Sequence, residues 1–189
     1  MLFDYIQDND LWQHKLPQSR EFSAGLQAMR LELDVNVNPD LFQQLGALVV
    51  DDVCARGVAA LQERDALIAR LLPVAVPFTI PGGPAGTLTC LALEVDASTA
   101  EIRSALGNAL AERAQQVVGT DVGAIIYHFT LGPGPHAPAD APDATWKVSL
   151  RSKQSDTTPF SQFYGGGGHR CASSFSVTRA TLDTFRRSK

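Results

Sequence analysis

Three short stretches carry residue types that can do chemistry. The most distinctive is Tyr164-Gly165-Gly166-Gly167-Gly168-His169-Arg170. Four consecutive glycines bare the backbone, allow positive φ, and can turn successive N–H groups into one concavity suited to a phosphate or carboxylate. His169 adds a donor whose charge switches near neutral pH, and Arg170 adds a fixed, fork-shaped cation. A glycine run also serves as a flexible linker. This one lies between a short helix over 160–164 and a strand, inside a domain, which favours the anion site.

The second stretch is Trp146-Lys147-Val148-Ser149-Leu150-Arg151-Ser152. Strand alternation puts Trp146, Val148 and Leu150 on one face and Lys147, Ser149 and Arg151 on the other. Taken alone, the polar face is an ordinary solvated one. Beside the glycine loop it becomes the second wall of a cationic pocket. On a chain of net charge -4, such a local pocket fits a small phosphorylated ligand better than a long polymer. The third stretch runs from Tyr5 to Trp12 and holds Asp8 and Asp10, hard oxygen ligands for magnesium or manganese. Asp4 and His14 do not complete a recognisable ligand set, so this acidic cluster by itself reads as structural. His128 falls in an apolar strand and reads as a core or sheet residue, and His136 as a solvated loop residue. The sequence has no nucleophile elbow, Walker loop or zinc spacing.

The elements that must position these residues follow from periodicity and breakers. Leu2 to Ile6 reads as a short strand and Ser23 to Leu31 as a short helix. A long helix is expected from Asn38–Asp40 through Leu71, where Pro73 stops it, with a kink or break near Gly57. Strands follow over Val74–Ile80 and Leu88–Val95, then a helix capped by Ser98 or Thr99 and carrying Ile102, Leu106 and Leu110. Val122–Thr130, Thr145–Ser152 and Ala172–Val177 complete the strands. A proline-rich loop over 132–143 and a closing helix over Arg179–Arg187 complete the chain. The expected class is α/β of an α+β-like kind, a mixed sheet with flanking helices, preceded by a long linking helix.

Composition bounds the rest. Of 189 residues, 44% are hydrophobic and 19% charged, which fits a folded globular chain and not a disordered one. With 16 Lys plus Arg against 20 Asp plus Glu, the chain lacks the bulk basic surface of a nucleic-acid coating protein. Cys54, Cys90 and Cys171 form no CxxC pair, so buried free thiols and a reducing compartment are expected. The sequence has no signal-peptide start and no apolar run of bilayer length, so a cytoplasmic location without membrane attachment is the expectation. Structure starts at once after Met1, and the chain is therefore read as the C-terminal part of something larger.

The Val148-Ser149-Leu150-Arg151-Ser152 strand, the Gly165–Arg170 loop and Cys171-Ala172-Ser173-Ser174-Phe175 together resemble the C-terminal, DHH-associated domain of the DHH phosphoesterase family. That family includes oligoribonucleases, RecJ-type exonucleases, cyclic-dinucleotide phosphodiesterases and exopolyphosphatase-like proteins. The resemblance covers 73–189, with 38–72 as the linking helix. Residues 1–37 are similar to the end of the DHH catalytic domain through Asp8-Asn9-Asp10-Leu11-Trp12. One departure is Ser173-Ser174, where the family usually has Ala-Gly. Another is that the Asp-His-His triplet occurs nowhere in the sequence.

The resemblance implies a phosphodiester hydrolase whose first domain holds two manganese (or magnesium) ions and whose second grips the substrate's terminal phosphate or nucleotide. The grip would comprise Ser149, Arg151, Gly166, Gly167, Gly168, His169 and Arg170, with Asp8 or Asp10 as the surviving metal ligand. Stable metal binding and independent hydrolysis are not expected of this chain. The expected partner is a short oligonucleotide or nucleotide, and a homodimer is expected through exposed Phe3, Trp12 and the long helix. The alternative is a non-catalytic nucleotide- or RNA-binding module related to the C-terminal domain of alanyl-tRNA synthetases.

Overall fold

Leu2, Tyr5 and Ile6 recur at the three- and four-residue spacing of a helix, and a computed structural model of the chain forms one there, α1 (Leu2–Asp10), in place of the expected strand. The structure describes residues 2–11, 13, 15–129 and 145–185. Trp12, His14, His136, the 132–143 loop, Thr130 and the end of the closing helix lie outside the described residues. The chain divides into two compact units, Met1–Leu67 and Ile68–Lys189.

In the first unit α1 packs with α2 (Ser19–Ala28), with the Tyr5 and Phe22 rings 4.8 Å apart. The long helix expected from Asn38 is two helices, α3 (Leu41–Gly46) and α4 (Val50–Leu71). The break therefore falls at 47–49 and not at Gly57. Gly57 stays helical because it is a packing position. A Cβ there would lie 1.7 Å from the Glu21 carbonyl oxygen, and one at Gly25 would lie 1.9 Å from that of Val53. The two glycines let α2 and α4 cross backbone to backbone, and Val50, Val53 and Cys54 close on Phe22. The start of α4 is thus core of the first unit, although the sequence reads it as part of a connector over 38–72.

The second unit is built on a six-stranded mixed sheet flanked by helices, in the order β1 (Val76–Pro81), β2 (Thr87–Val95), β3 (Val122–Phe129), β4 (Thr145–Ser152), β6 (Ala172–Thr178), β5 (Gly167–His169). Only β2 and β3 pair in parallel, and the crossover between them carries α5 (Arg103–Val117). Asp96, and not Ser98 or Thr99, caps the turn of 3-10 helix leading into α5, its carboxylate accepting the Ser98 N–H at 2.9 Å. The short helices α6 (Thr158–Phe163) and α7 (Arg179–Thr184) follow β4 and β6.

The sheet buries both faces, unevenly. On one face Phe78, Ile80, Cys90, Ala124, Val148, Leu150 and Phe175 meet Leu182 and Phe185, with Tyr164 stacked on Phe175 at 4.7 Å. On the other, Leu91, Leu93 and Ile125 meet Leu106, Leu110 and Ala114 of α5. Cys54 and Cys90 are buried as expected, and burial pushes the Cys90 thiol up to about 12, but Cys171 is partly exposed. No helix among the described residues is long and apolar enough to cross a membrane.

Candidate functional site

The alternation read in β4 is realised. Val148 and Leu150 are fully buried, while Lys147, Ser149 and Arg151 occupy the opposite face, the one α5 covers. Register extends this face across the sheet. Ser149 lies between Ile125 and Ser174, and Ser174 faces Gly167. Arg151 lies between Gly123 and Ala172, and Ala172 faces His169. Directly opposed residues share a face. One surface therefore runs from the apolar floor beneath α5 to a polar shelf of Ser149, Arg151, Ser174, Gly167 and His169.

Arg151 is held in place by its own chain. A Cβ on Gly107 of α5 would lie 2.9 Å from Arg151 Cγ, so glycine there makes room for the arginine stem. Arg151 Nη1 donates to the Leu150 carbonyl at 3.1 Å and lies 3.5 Å from Ser149 Oγ. A half-buried guanidinium held this way loses little freedom on meeting an anion.

The glycine run does something other than form a continuous nest. Gly165, at φ 74°, ends α6 in a Schellman arrangement: its N–H donates to the Gln162 carbonyl, and the Gly166 N–H to that of Ser161, both at 2.9 Å. Those two N–H groups are satisfied within the chain. Gly166 is required by contact, since a Cβ would lie 2.1 Å from the Ser174 carbonyl oxygen. Gly168, at φ 141°, has its Cβ direction 2.5 Å from the Ala172 carbonyl oxygen. Gly167, like Gly165, has nothing within 4 Å of an added Cβ. The run is thus a helix stop followed by the short strand β5, which the sequence did not predict, paired tightly to β6. His169 is exposed at its end. Arg170 Nε donates to the Gln154 carbonyl at 3.1 Å, which ties that guanidinium to the loop after β4.

Two supports escaped the sequence reading. Beneath the hairpin, Ser173 Oγ lies 2.7 Å from both Thr157 Oγ1 and Ser161 Oγ and donates to the Thr157 carbonyl at 3.1 Å; all three residues are buried. Asp121 accepts the backbone N–H groups of Lys153 at 3.2 Å, Gln154 at 2.6 Å and Ser155 at 3.0 Å, together with the Ser155 hydroxyl. Burial alone would raise its carboxyl, but these hydrogen bonds outweigh it and hold the group below the usual aspartate range. No local signal announces this anchor, because its partners are more than thirty residues away. Alternation along β6 would have placed Ser174 on the shelf.

The acidic cluster of the first unit takes a different shape from a chelate. Asp8 is buried, and its carboxylate accepts the N–H groups of Lys15 at 2.9 Å and Leu16 at 3.3 Å, fastening the segment that leads to α2. Asp10 is exposed, and two residues along a helix is a rotation of about 200°, so the two carboxylates leave on different faces. The described residues include no cluster of three or more His, Cys, Asp or Glu side chains placed to hold a metal ion. With Asp8 committed to that segment and Asp10 leaving on another face, the two carboxylates do not act as joint ligands of one manganese or magnesium ion among the described residues. His128 is a sheet residue of β3 and not a core one; it is exposed and packs edge-on against Trp146 at 5.6 Å.

No protein-family model matches the chain, and no curated protein matches it. Among solved structures it is similar to an uncharacterized protein from Helicobacter pylori G27, with 17% identity and a TM-score of 0.34, over 90% of this chain and 41% of that one. It is also similar to the pGpG-specific phosphodiesterase PggH from Vibrio cholerae, with 9% identity and a TM-score of 0.41, over 97% of this chain and 62% of that one. The chain spans less than two thirds of the length of either.

Proposed function

We propose that this chain is the nucleotide-gripping part of a DHH-type phosphoesterase, binding the terminal phosphate of a nucleotide or short oligonucleotide on the polar shelf of its sheet. The observation that carries the reading is the row in which Ser149 and Arg151 share one face with Gly167 and His169 across paired strands. Arg151 supplies the charge and a two-pronged contact to phosphate oxygens. Ser149 donates its hydroxyl beside it. Gly167 lets the ligand approach the backbone closely, and His169 adds a second cation when protonated. Gly166, Gly168 and Arg170 hold this surface in place from below and from the side.

Hydrolysis is a separate matter. Asp8 and Asp10 do not assemble a metal centre among the described residues, and no hydrolytic step is derived for them. Manganese-supported cleavage of a dinucleotide by this chain is expected to be negligible. Turnover that disappears in Asp8→Asn would overturn that expectation.

Titration calorimetry with AMP tests the grip. Binding to the intact chain is expected, with a loss of at least about tenfold in affinity in Arg151→Ala, equivalent to about 1.4 kcal/mol. His169→Ala is expected to weaken binding by a smaller factor than Arg151→Ala, because its side chain sits exposed at the end of β5. Absence of binding by the unaltered chain would sink the proposal.

A further inference from the structure

Ser174 stands at the centre of the shelf. It lies opposite Ser149 on one side and Gly167 on the other, on the face that carries Arg151. The residue is half-buried, and no protein group among the described residues accepts from or donates to its hydroxyl. Its neighbour Ser173 is the contrast, with its hydroxyl buried on the other face and fully engaged by Thr157 and Ser161. Two adjacent serines of one strand therefore do opposite things. One locks the hairpin, and the other presents an unengaged hydroxyl to the candidate ligand surface.

The arrangement of donors has a shape. The backbones of Ser149 and Ser174 lie on neighbouring strands about 4.8 Å apart, while the Arg151 guanidinium reaches back along β4 so that its Nη1 lies 3.5 Å from Ser149 Oγ. Three donors at the corners of a triangle, instead of on one line, approach a bound group from three directions. A carboxylate or a phosphodiester offers two charged terminal oxygens to these three groups, so one oxygen must serve two of them. A phosphate monoester has three terminal oxygens and can answer all three.

Resting on the proposed phosphate grip, we infer that Ser174 is a specificity-determining residue that donates to the third terminal oxygen of a phosphate monoester and so distinguishes a chain-end phosphate from an internal diester. Its contribution is made through a contact that a diester lacks. Removing it therefore penalises the monoester alone.

Calorimetry with two probes, AMP and its phosphate methyl ester, reads this directly. The unaltered chain is expected to bind AMP at least about tenfold more tightly than the methyl ester. Ser174→Ala is expected to lose about five- to tenfold in AMP affinity, the weight of one hydrogen bond to a charged group, with methyl ester affinity unchanged. Ser174→Thr keeps the hydroxyl on a good strand former and is expected to restore AMP binding. Ser176→Ala, one repeat further along β6, is expected to change neither. Equal losses for both probes in Ser174→Ala, or no loss for AMP, would overturn the inference, as would failure of Ser174→Thr alongside normal binding by Ser174→Ala. Equal affinity of the unaltered chain for the two probes would overturn it while leaving the phosphate grip standing. Binding of neither would overturn both.

Discussion

The strands β1 and β5 border the same sheet, and the chain treats the two edges in opposite ways. In β1 the Thr79 N–H points away from β2 and donates to the Phe185 carbonyl at 3.3 Å. Pro77 and Pro81 occupy the positions two residues to either side on that strand, where a further outward N–H would fall, and proline has none. The edge thus offers an incoming strand no free N–H over these positions. At β5 the edge is three residues long and consists of two glycines and His169. There the side-chain volume is removed instead of the donors, and the backbone lies open beside a polar shelf. One border closes the sheet against strand addition. The other leaves a short, glycine-rich backbone beside Ser149, Arg151 and Ser174.

The sharpest way to break this comparison is at Gly166. Its replacement by Ala drives a methyl group to within 2.1 Å of the Ser174 carbonyl oxygen, a backbone atom that cannot step aside alone. A loss of about 3 kcal/mol is expected in urea unfolding. Gly167→Ala is the control, because nothing lies within 4 Å of its added carbon. That change is expected to stay within about 0.5 kcal/mol in stability while weakening AMP binding. Similar unfolding midpoints for the two variants would show that β5 is not pressed against β6 as described.

Below the hairpin, Ser173→Val removes one hydroxyl from a buried trio and leaves Thr157 and Ser161 with a lost partner. A cost of about 2 kcal/mol is expected from thermal or urea unfolding. Asp121→Asn follows, at about 1–2 kcal/mol near neutral pH, since three backbone N–H groups lose a charged acceptor. The folded-state carboxyl titrates below its ordinary value of 3.8, so its contribution is complete above that value and fades as pH falls through the lower folded value. Unfolding curves of the two forms are expected to converge as the pH is lowered below 3.8; a gap that does not narrow at all on acidification would mean that the anchor does not act through its charge. The smallest stability effect is expected for Pro77→Thr combined with Pro81→Thr, within about 1 kcal/mol. Its signature is self-association seen by sedimentation, as two outward N–H groups return to the edge. A variant that stays as monodisperse as the parent would refute the account of that border.

Much of this was legible because β-structure writes itself locally. Alternation in Thr145–Ser152 separated Val148 and Leu150 from Ser149 and Arg151, and the structure keeps that division. The runs at 88–95 and 122–129 were strands in both views. The failures have physical causes too. The short segment Leu2–Ile6 reads as a strand, but it forms a helix that puts Tyr5 against Phe22. Gly57 looked like a weak point by intrinsic propensity, yet it is where α2 comes closest to α4. The glycine run reads as successive N–H groups turned into one concavity, but two of those N–H groups cap α6.

The sequence by itself determined the mixed α/β class, the sidedness of β4, and the presence of a Ser-Arg strand and a Gly-His loop in one domain, since each depends on residue type and period alone. Only the tertiary structure decided that Ser149, Ser174 and Gly167 form one row, that Ser173 and Asp121 are supports, that Arg170 braces a loop, and that Asp8 and Asp10 diverge. Those outcomes depend on which strands pair and on helical rotation. Both are set by packing between segments distant in sequence, which no local pattern records.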